Sequence, residues 1–229
     1  MPFMQADLLS ELYPLFQGAS PETVDELVSG ATHHDYPADR AVVMEDAWGN
    51  AVYFIEAGWV KVRHHSDDSS ITLAVLGKGD FFGEMAILDE SPRSTDVVAM
   101  TAVKLMSISA QRFIQTLFKD PQLHHRLLQL MVQRLRQTNM RFQLRHQPPA
   151  VKLANILTAI QLAYGEPGEN GVDLFNIPHK DLADLADITP DEADKIMTKL
   201  AEKGWIVEDS AQSVLRLKNT HQLAHLASR

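Results

Sequence analysis

The 229-residue sequence predicts an α+β protein in three parts: an N-terminal β-barrel of jelly-roll type, a long helix, and a C-terminal winged helix-turn-helix domain. Three observations carry this. Short β-rich runs separated by turn clusters fill the stretch from Tyr36 to Ile108. One helical pattern then persists from Pro121 to His146. Beyond Gln147-Pro148-Pro149 the order is a helix, two short helices across a tight turn, and a strand pair. The predicted boundaries are 1–120 for the barrel, 121–147 for the helix and 148–229 for the winged domain.

Leu8, Leu9, Leu12, Leu15 and Phe16 recur at helical spacing and predict a helix over about residues 6–16. Ser20-Pro21-Glu22-Thr23 reads as a second helix start, with Ser20 as N-cap and Pro21 in the first turn. Strands are predicted over 41–44, 52–55, 59–62, 71–76, 96–99 and 103–108, with turns at 46–50, 56–58, 66–70 and 77–80. Ser109 opens a further helix. In the long helix, Leu128, Met131, Leu135, Thr138 and Phe142 alternate in steps of three and four, which is a heptad seam. Leu127 and Leu130 form a second apolar stripe. Two stripes suit a helix that packs on its own barrel and on a second copy, so a homodimer is expected. The winged domain is predicted as helices over 151–164, 179–186 and 190–203 and strands over 205–207 and 214–217, with a loop at 165–171.

Composition narrows the function. The chain is 45% hydrophobic and 22% charged, which supports a packed core. It has no Cys, which excludes disulfides, thiolate zinc sites, cysteine-ligated iron–sulfur clusters and a Cys nucleophile. No apolar run approaches the ~20 residues needed to span a bilayer. Residues 1–7 lack the basic start of a signal peptide. A cytoplasmic protein without membrane contact is expected. The pairs His33-His34, His64-His65 and His124-His125 place adjacent side chains on different faces, so they read as solvated surface and no metal is expected. No nucleophile–base pair stands out, so the chain does not read as an enzyme. The net charge of −9 is a poor match to a protein that only grips DNA.

The informative segment runs from Gly79 to Thr95. Gly83 lets the backbone turn tightly and approach a ligand. Met85, Ala86 and Ile87 begin a short helix whose free N–H groups suit an anion. Glu84 is an acceptor suited to sugar hydroxyls, and Arg93 suits a phosphate through its fork of donors. Ser94 and Thr95 add hydroxyls. Together these groups complement a cyclic ribose phosphate. The bland reading, in which Glu84 and Arg93 form a buried ion pair bracing a loop, leaves the glycine and the two hydroxyls unexplained.

With Gly83-Glu84-Met85-Ala86 followed by Arg93-Ser94-Thr95, the sequence resembles the cyclic-nucleotide-binding regulators of the Crp/Fnr family, from about Leu15 to Leu217. The resemblance implies Glu84 on the ribose 2′-hydroxyl and Arg93 with Ser94 on the phosphate. It also implies that Thr138 and Asn139, on the paired long helices, read the base. The ligand stays open between cyclic AMP, favoured by the cassette, and cyclic di-GMP, favoured by arginine density. Arg126, Arg134, Arg136, Arg141 and Arg145 share a helix without an acidic residue from His124 to His146, and Arg134 and Arg141 join the candidate ligand set.

The effector end departs from the family pattern. Pro190 stands where an Arg is usual at the start of the recognition helix, and Asp187 replaces the turn Gly. Asp187, Asp191, Glu192 and Asp194 cluster with no compensating base among them before Lys195. From Pro148 onward there are 8 Lys and Arg against 12 Asp and Glu. Two readings follow. In one, the protein is a ligand-dependent transcription regulator touching DNA through Lys195, Lys199, Lys203, Arg216 and Lys218. In the other, DNA binding is weak or lost and the winged domain meets a protein partner.

Overall fold

The computed structural model describes residues 8–66 and 69–228. It divides into two compact units, residues 1–136 and 137–229, with the division inside the long helix. No helix among the described residues is long and apolar enough to cross a membrane.

In the first unit, residues 8–12 are helical and a short 3-10 turn follows at Pro14–Phe16. The single helix expected over 6–16 is therefore interrupted, and positions 6 and 7 lie outside the described residues. Pro14 is the cause: it forces Tyr13 into extended backbone (φ −108°, ψ 110°). The next helix, Pro21–Val28, starts as expected, with Ser20 Oγ accepting from Thr23 N at 3.1 Å.

Eight strands follow: β1 (Thr32–Tyr36), β2 (Ala41–Val43), β3 (Ala51–Ala57), β4 (Val60–Ser66), β5 (Ser69–Leu76), β6 (Phe81–Phe82), β7 (Asp96–Ala99) and β8 (Val103–Ser109). They form two four-stranded antiparallel sheets, ordered β1-β8-β3-β6 and β2-β7-β4-β5. The strand period of two sorts the core. Ile55 on β3 and Val103 and Leu105 on β8 face the second sheet and meet Val43, Val60, Val97 and Ala99. Val52 and Phe54, with Met106 and Ile108, face outward and are covered by Tyr13, Phe16, Leu27, Phe113, Leu123 and Leu127. The first sheet is thus buried on both faces. The two strands that were not expected, β1 and β6, have plain causes. Thr32-His33-His34-Asp35-Tyr36 is an edge strand with no apolar alternation, and Phe81-Phe82 is too short to show a period.

The long helix spans Pro121–Gln143 and ends in a 3-10 turn, Leu144–His146. Leu123 and Leu127 are buried in the core, and Leu130 and Met131 pack against it. Met131 therefore faces its own sheet rather than the seam. The exposed stripe reads Leu128, Val132, Leu135 and Phe142, with relative exposures of 54%, 48%, 60% and 68%. It keeps heptad-like spacing with Val132 rather than Met131 in line, and Thr138 and Asn139 are both exposed beside it.

Beyond the end of the long helix, the second unit comprises a helix, Pro149–Tyr164, followed by β9 (Glu166–Gly168), β10 (Gly171–Phe175), helices His179–Ala186 and Pro190–Glu202, β11 (Ile206–Asp209), β12 (Val214–Leu217) and a last helix, Thr220–Ala227. Its sheet is ordered β11-β12-β10-β9. Leu153, Leu157, Leu182, Met197, Leu217 and Leu223 are its buried centre. β9, β10 and the last helix were not expected. β9 lies inside the segment read as a loop, since Pro167 and Gly168 disfavour a strand except at an edge, where β9 sits.

Candidate functional site

The cassette lies between β6 and β7. Gly83 adopts a left-handed conformation (φ 87°, ψ 3°) and caps the helix Glu84–Leu88. A methyl group there would stand 2.6 Å from Arg93 Nη1, so the glycine serves both the turn and the passage of the arginine. Gly49 plays the same part on the other side, where an added Cβ would collide with the Arg93 guanidinium.

Arg93 is 6% exposed. Its Nη1 donates to the Gly83 carbonyl and its Nη2 donates to the Ala51 carbonyl at 2.7 Å. Its backbone is held by the preceding loop, with Arg93 N donating to Ala47 O and Asp46 N to Arg93 O, both at 2.9 Å. Burial pushes the guanidinium pKa below its ordinary value, against the opposing influence of Tyr53 and Glu84. The group keeps its charge, since arginine starts from a very high pKa.

Glu84 is 1% exposed and does not pair with Arg93. Its Oε1 accepts from Arg134 Nη1 of the long helix at 2.5 Å. Arg134 also donates from Nη2 to Phe81 O at 2.7 Å and lies 4.6 Å from the Phe81 ring centre. The loop brace that sequence reading weighed is therefore absent. The structure brings Gly83, Glu84, Arg93 and Arg134 together.

Of the remaining candidates, Met85 and Ser94 are exposed and Thr95 is half-buried. Met85, Ala86 and Ser94 share an open cleft of about 390 Å³ with Leu88, Asp89, Ser91 and Pro92. Thr138, Asn139 and Arg141 are exposed on the second unit's part of the long helix.

Sequence reading missed a second layer behind the cassette. Asp96 is 7% exposed. It accepts from Glu45 N at 2.8 Å, Arg63 Nη2 at 3.1 Å and His65 Nε2 at 2.9 Å. Burial works to raise the Asp96 pKa, but the Glu45 amide, His65 and Arg63 outweigh it and hold the carboxyl below the usual range. His64 Nδ1 lies 2.8 Å from Glu45 Oε1. His64 and His65 are solvent-exposed and also lie within hydrogen-bond distance of Glu45 and Asp96, and His33 likewise meets Glu56 at 3.0 Å. The available signal was Asp96, an acid at the start of an apolar strand.

In the second unit Asp187, Glu192 and Asp194 of the acidic turn make contacts within the unit, while Asp187 and Asp194 stay exposed. Asp187 sits in left-handed backbone (φ 52°) and meets Lys152, whose Nζ donates to its carbonyl at 2.9 Å and its carboxylate at 3.2 Å. Glu192 closes a capping box with Thr189. Asp194 is 2.6 Å from His179 Nδ1, whose other nitrogen is 3.3 Å from Glu208. Arg216 forks onto Asp173 at 2.6 and 2.8 Å. Lys195, Lys199 and Lys218 are exposed.

Comparison with known proteins places these features in context. The profile of the cyclic nucleotide-binding domain matches residues 33–120. The cyclic AMP receptor protein of Thermus thermophilus is 31% identical over 195 residues, covering 84% of this chain and 88% of the relative. Two solved structures share the fold. FixK2 of Bradyrhizobium japonicum has a TM-score of 0.74 at 18% identity, covering 86% of this chain and 96% of that one. The c-di-GMP responsive global regulator CLP of Xanthomonas campestris has a TM-score of 0.66 at 20% identity, covering 86% and 99%.

Proposed function

The chain belongs to the Crp/Fnr family of cyclic-nucleotide-binding transcription regulators, and on that premise we propose that it is a cytoplasmic homodimer that binds cyclic AMP in its cassette and thereby controls DNA binding by its winged domain. One observation carries the ligand reading. Arg93 is a buried guanidinium whose hydrogen bonds go to two neutral carbonyls, while the Glu84 carboxylate that interacts with it through space is bonded to Arg134 instead. A phosphate would give this buried cation a directly bonded counter-charge through charge-assisted hydrogen bonds.

Ligand entry would exchange the Gly83 and Ala51 carbonyls for phosphate oxygens on Arg93, with Ser94 and Thr95 adding hydroxyls. Glu84, already oriented by Arg134, would accept from the ribose 2′-hydroxyl. The exposed stripe Leu128, Val132, Leu135 and Phe142 is the surface proposed to pair with a second copy. Thr138 and Asn139 on that stretch would then read the base. A ligand that prefers one packing of the paired helices shifts the population toward it.

Cyclic AMP is preferred over cyclic di-GMP because part of the arginine density has an internal use. Arg126 donates to Pro14 O and Gln17 Oε1, both at 2.8 Å, and Arg134 holds Glu84. Arg136, Arg141 and Arg145 keep the second ligand in play as the comparison compound.

On the effector side, Lys152 offsets part of the charge of Asp187, and Lys195, Lys199 and Lys218 are the proposed phosphate contacts. The reading in which a protein partner replaces DNA draws on Arg216, which Asp173 already holds. Binding of the full-length protein to genomic DNA fragments, with and without cyclic AMP and across salt concentrations, separates the two. Nucleotide-dependent binding with a steep salt slope supports regulation at DNA. No shift at any salt, with cyclic AMP bound, supports the partner.

A further inference from the structure

The second unit contains a pocket of about 420 Å³ remote from the cassette in sequence and formed by that unit alone. Its volume falls in the range of small-molecule sites, roughly 300–1,000 Å³. Four elements build it: Ala150 at the start of the helix Pro149–Tyr164, the last two turns of the recognition helix Pro190–Glu202 with its C-cap Lys203, Trp205 just before β11, and the last helix Thr220–Ala227. Ile196, Leu200, Trp205 and Leu226 give it an apolar lining. Its charged groups are Lys199 and Lys203.

The walls are fixed independently of any occupant. Leu200 is 4% exposed and anchors the recognition helix. Trp205 O accepts from Lys218 N at 2.8 Å and Asn219 N at 3.2 Å. The last helix is capped by Asn219, whose Oδ1 accepts from Gln222 N at 3.1 Å. Its other end is tied down by Asn155 Nδ2, which donates to Ala227 O at 2.8 Å, and by the fully buried Leu223.

The charge pattern identifies the occupant. This unit is rich in acids, yet no Asp or Glu lines the pocket. Lys199 and Lys203 stand four residues apart, so they share a helix face and repel one another. Among the described residues neither meets a carboxylate, and Lys203 Nζ instead lies 5.0 Å from the centre of the Trp205 ring. His225 and Gln222 add further polar groups at the same pocket. An open cleft with an apolar floor and two exposed ammonium groups at its rim complements a molecule with one anionic head and a short hydrocarbon tail.

We propose that this pocket is a second ligand site, taking a soluble medium-chain carboxylate whose tail lies against Ile196, Leu200 and Leu226 and whose carboxylate meets Lys199 and Lys203. The site does not depend on the cassette reading.

The test uses the full chain and decanoate below its micelle concentration. The three tryptophans give three indole N–H signals in a ¹H–¹⁵N spectrum, and Trp205→Phe assigns the relevant one. Decanoate should shift the Trp205 signal saturably and leave Trp48 and Trp59 in place. Decanol and acetate, lacking the head or the tail, should bind at least ten-fold more weakly. Lys199→Gln with Lys203→Gln should weaken decanoate at least ten-fold, with circular dichroism and Tm unchanged. Leu226→Glu, which sets a carboxylate in the wall, should do the same if the lysine variant folds poorly. The proposal is overturned if all three tryptophan signals move together, if decanol binds as well as decanoate, or if the lysine variant binds normally. It is equally overturned if phosphatidylglycerol vesicles or an acidic peptide, but not decanoate, move the Trp205 signal.

Discussion

Arg134→Met should destabilise the sensor unit mainly by stranding Glu84, and the loss should be recovered in part by Glu84→Gln. The Glu84 side chain is 2% exposed and its partner 34%. Removing one partner of a fully buried pair costs about 3–5 kcal/mol. Water reaches Arg134, so about 2 kcal/mol is the expected share for the stranded carboxylate. The lost hydrogen bond to Phe81 O and the contact with its ring add about 1 kcal/mol. The sum of about 3 kcal/mol corresponds to a fall in Tm of roughly 6–12 °C. Because Glu84→Gln leaves no charge to strand, the double variant should be more stable than Arg134→Met by about 1.5–2 kcal/mol. Urea and calorimetric melts of the wild type, both single variants and the double variant complete the cycle, at one fixed protein concentration because a dimer couples stability to concentration. A coupling below about 0.3 kcal/mol would refute the view that Arg134 acts by neutralising and orienting Glu84.

Three further outcomes are expected. Gly83→Ala should cost about 1–2 kcal/mol, since it strains a left-handed turn and crowds Arg93, and should weaken nucleotide binding at least ten-fold by calorimetry; unchanged affinity would remove Gly83 from the site. Asp96 should stabilise the fold above the ordinary aspartate pKa, near 3.9, and that contribution should fade as pH drops through its depressed folded value. Asp96→Asn should therefore lower stability by about 1–2 kcal/mol at pH 7, with the difference shrinking in acid melts, and a constant difference would contradict the assignment. Leu135→Glu, at the centre of the exposed stripe, should raise the dimer dissociation constant at least 100-fold in sedimentation equilibrium; burying each Leu contributes about 1.5–3 kcal/mol and two are lost per dimer.

What the sequence disclosed follows from which residues announce themselves. Apolar strands such as Val97-Val98 and the pair Gly83-Glu84 carry their signal in composition, so the sheets and the cassette were legible. β1 and β9 were not, because edge strands bury little and tolerate polar residues or proline. The spacing of the apolar positions on the long helix was legible, but Met131 and Val132 are both apolar, and only the packing of Met131 on the barrel's core distinguishes them. The partner of Glu84 was hidden for a different reason. Fifty residues separate it from Arg134, and no local rule distinguishes Arg134 from its arginine neighbours. The contact of Asp187 with Lys152, 35 residues away, was hidden in the same way.

Calorimetric titration of cyclic AMP into the wild-type protein and into Arg93→Ala bears most directly on the ligand assignment. Wild type should take one nucleotide per chain. Loss of a charge-assisted pair of hydrogen bonds, about 3 kcal/mol in all, should weaken the variant by about 100-fold or more. Equal affinity in the two proteins would contradict the assignment of Arg93 as the phosphate's counter-charge, and no heat with wild type would contradict cyclic AMP itself.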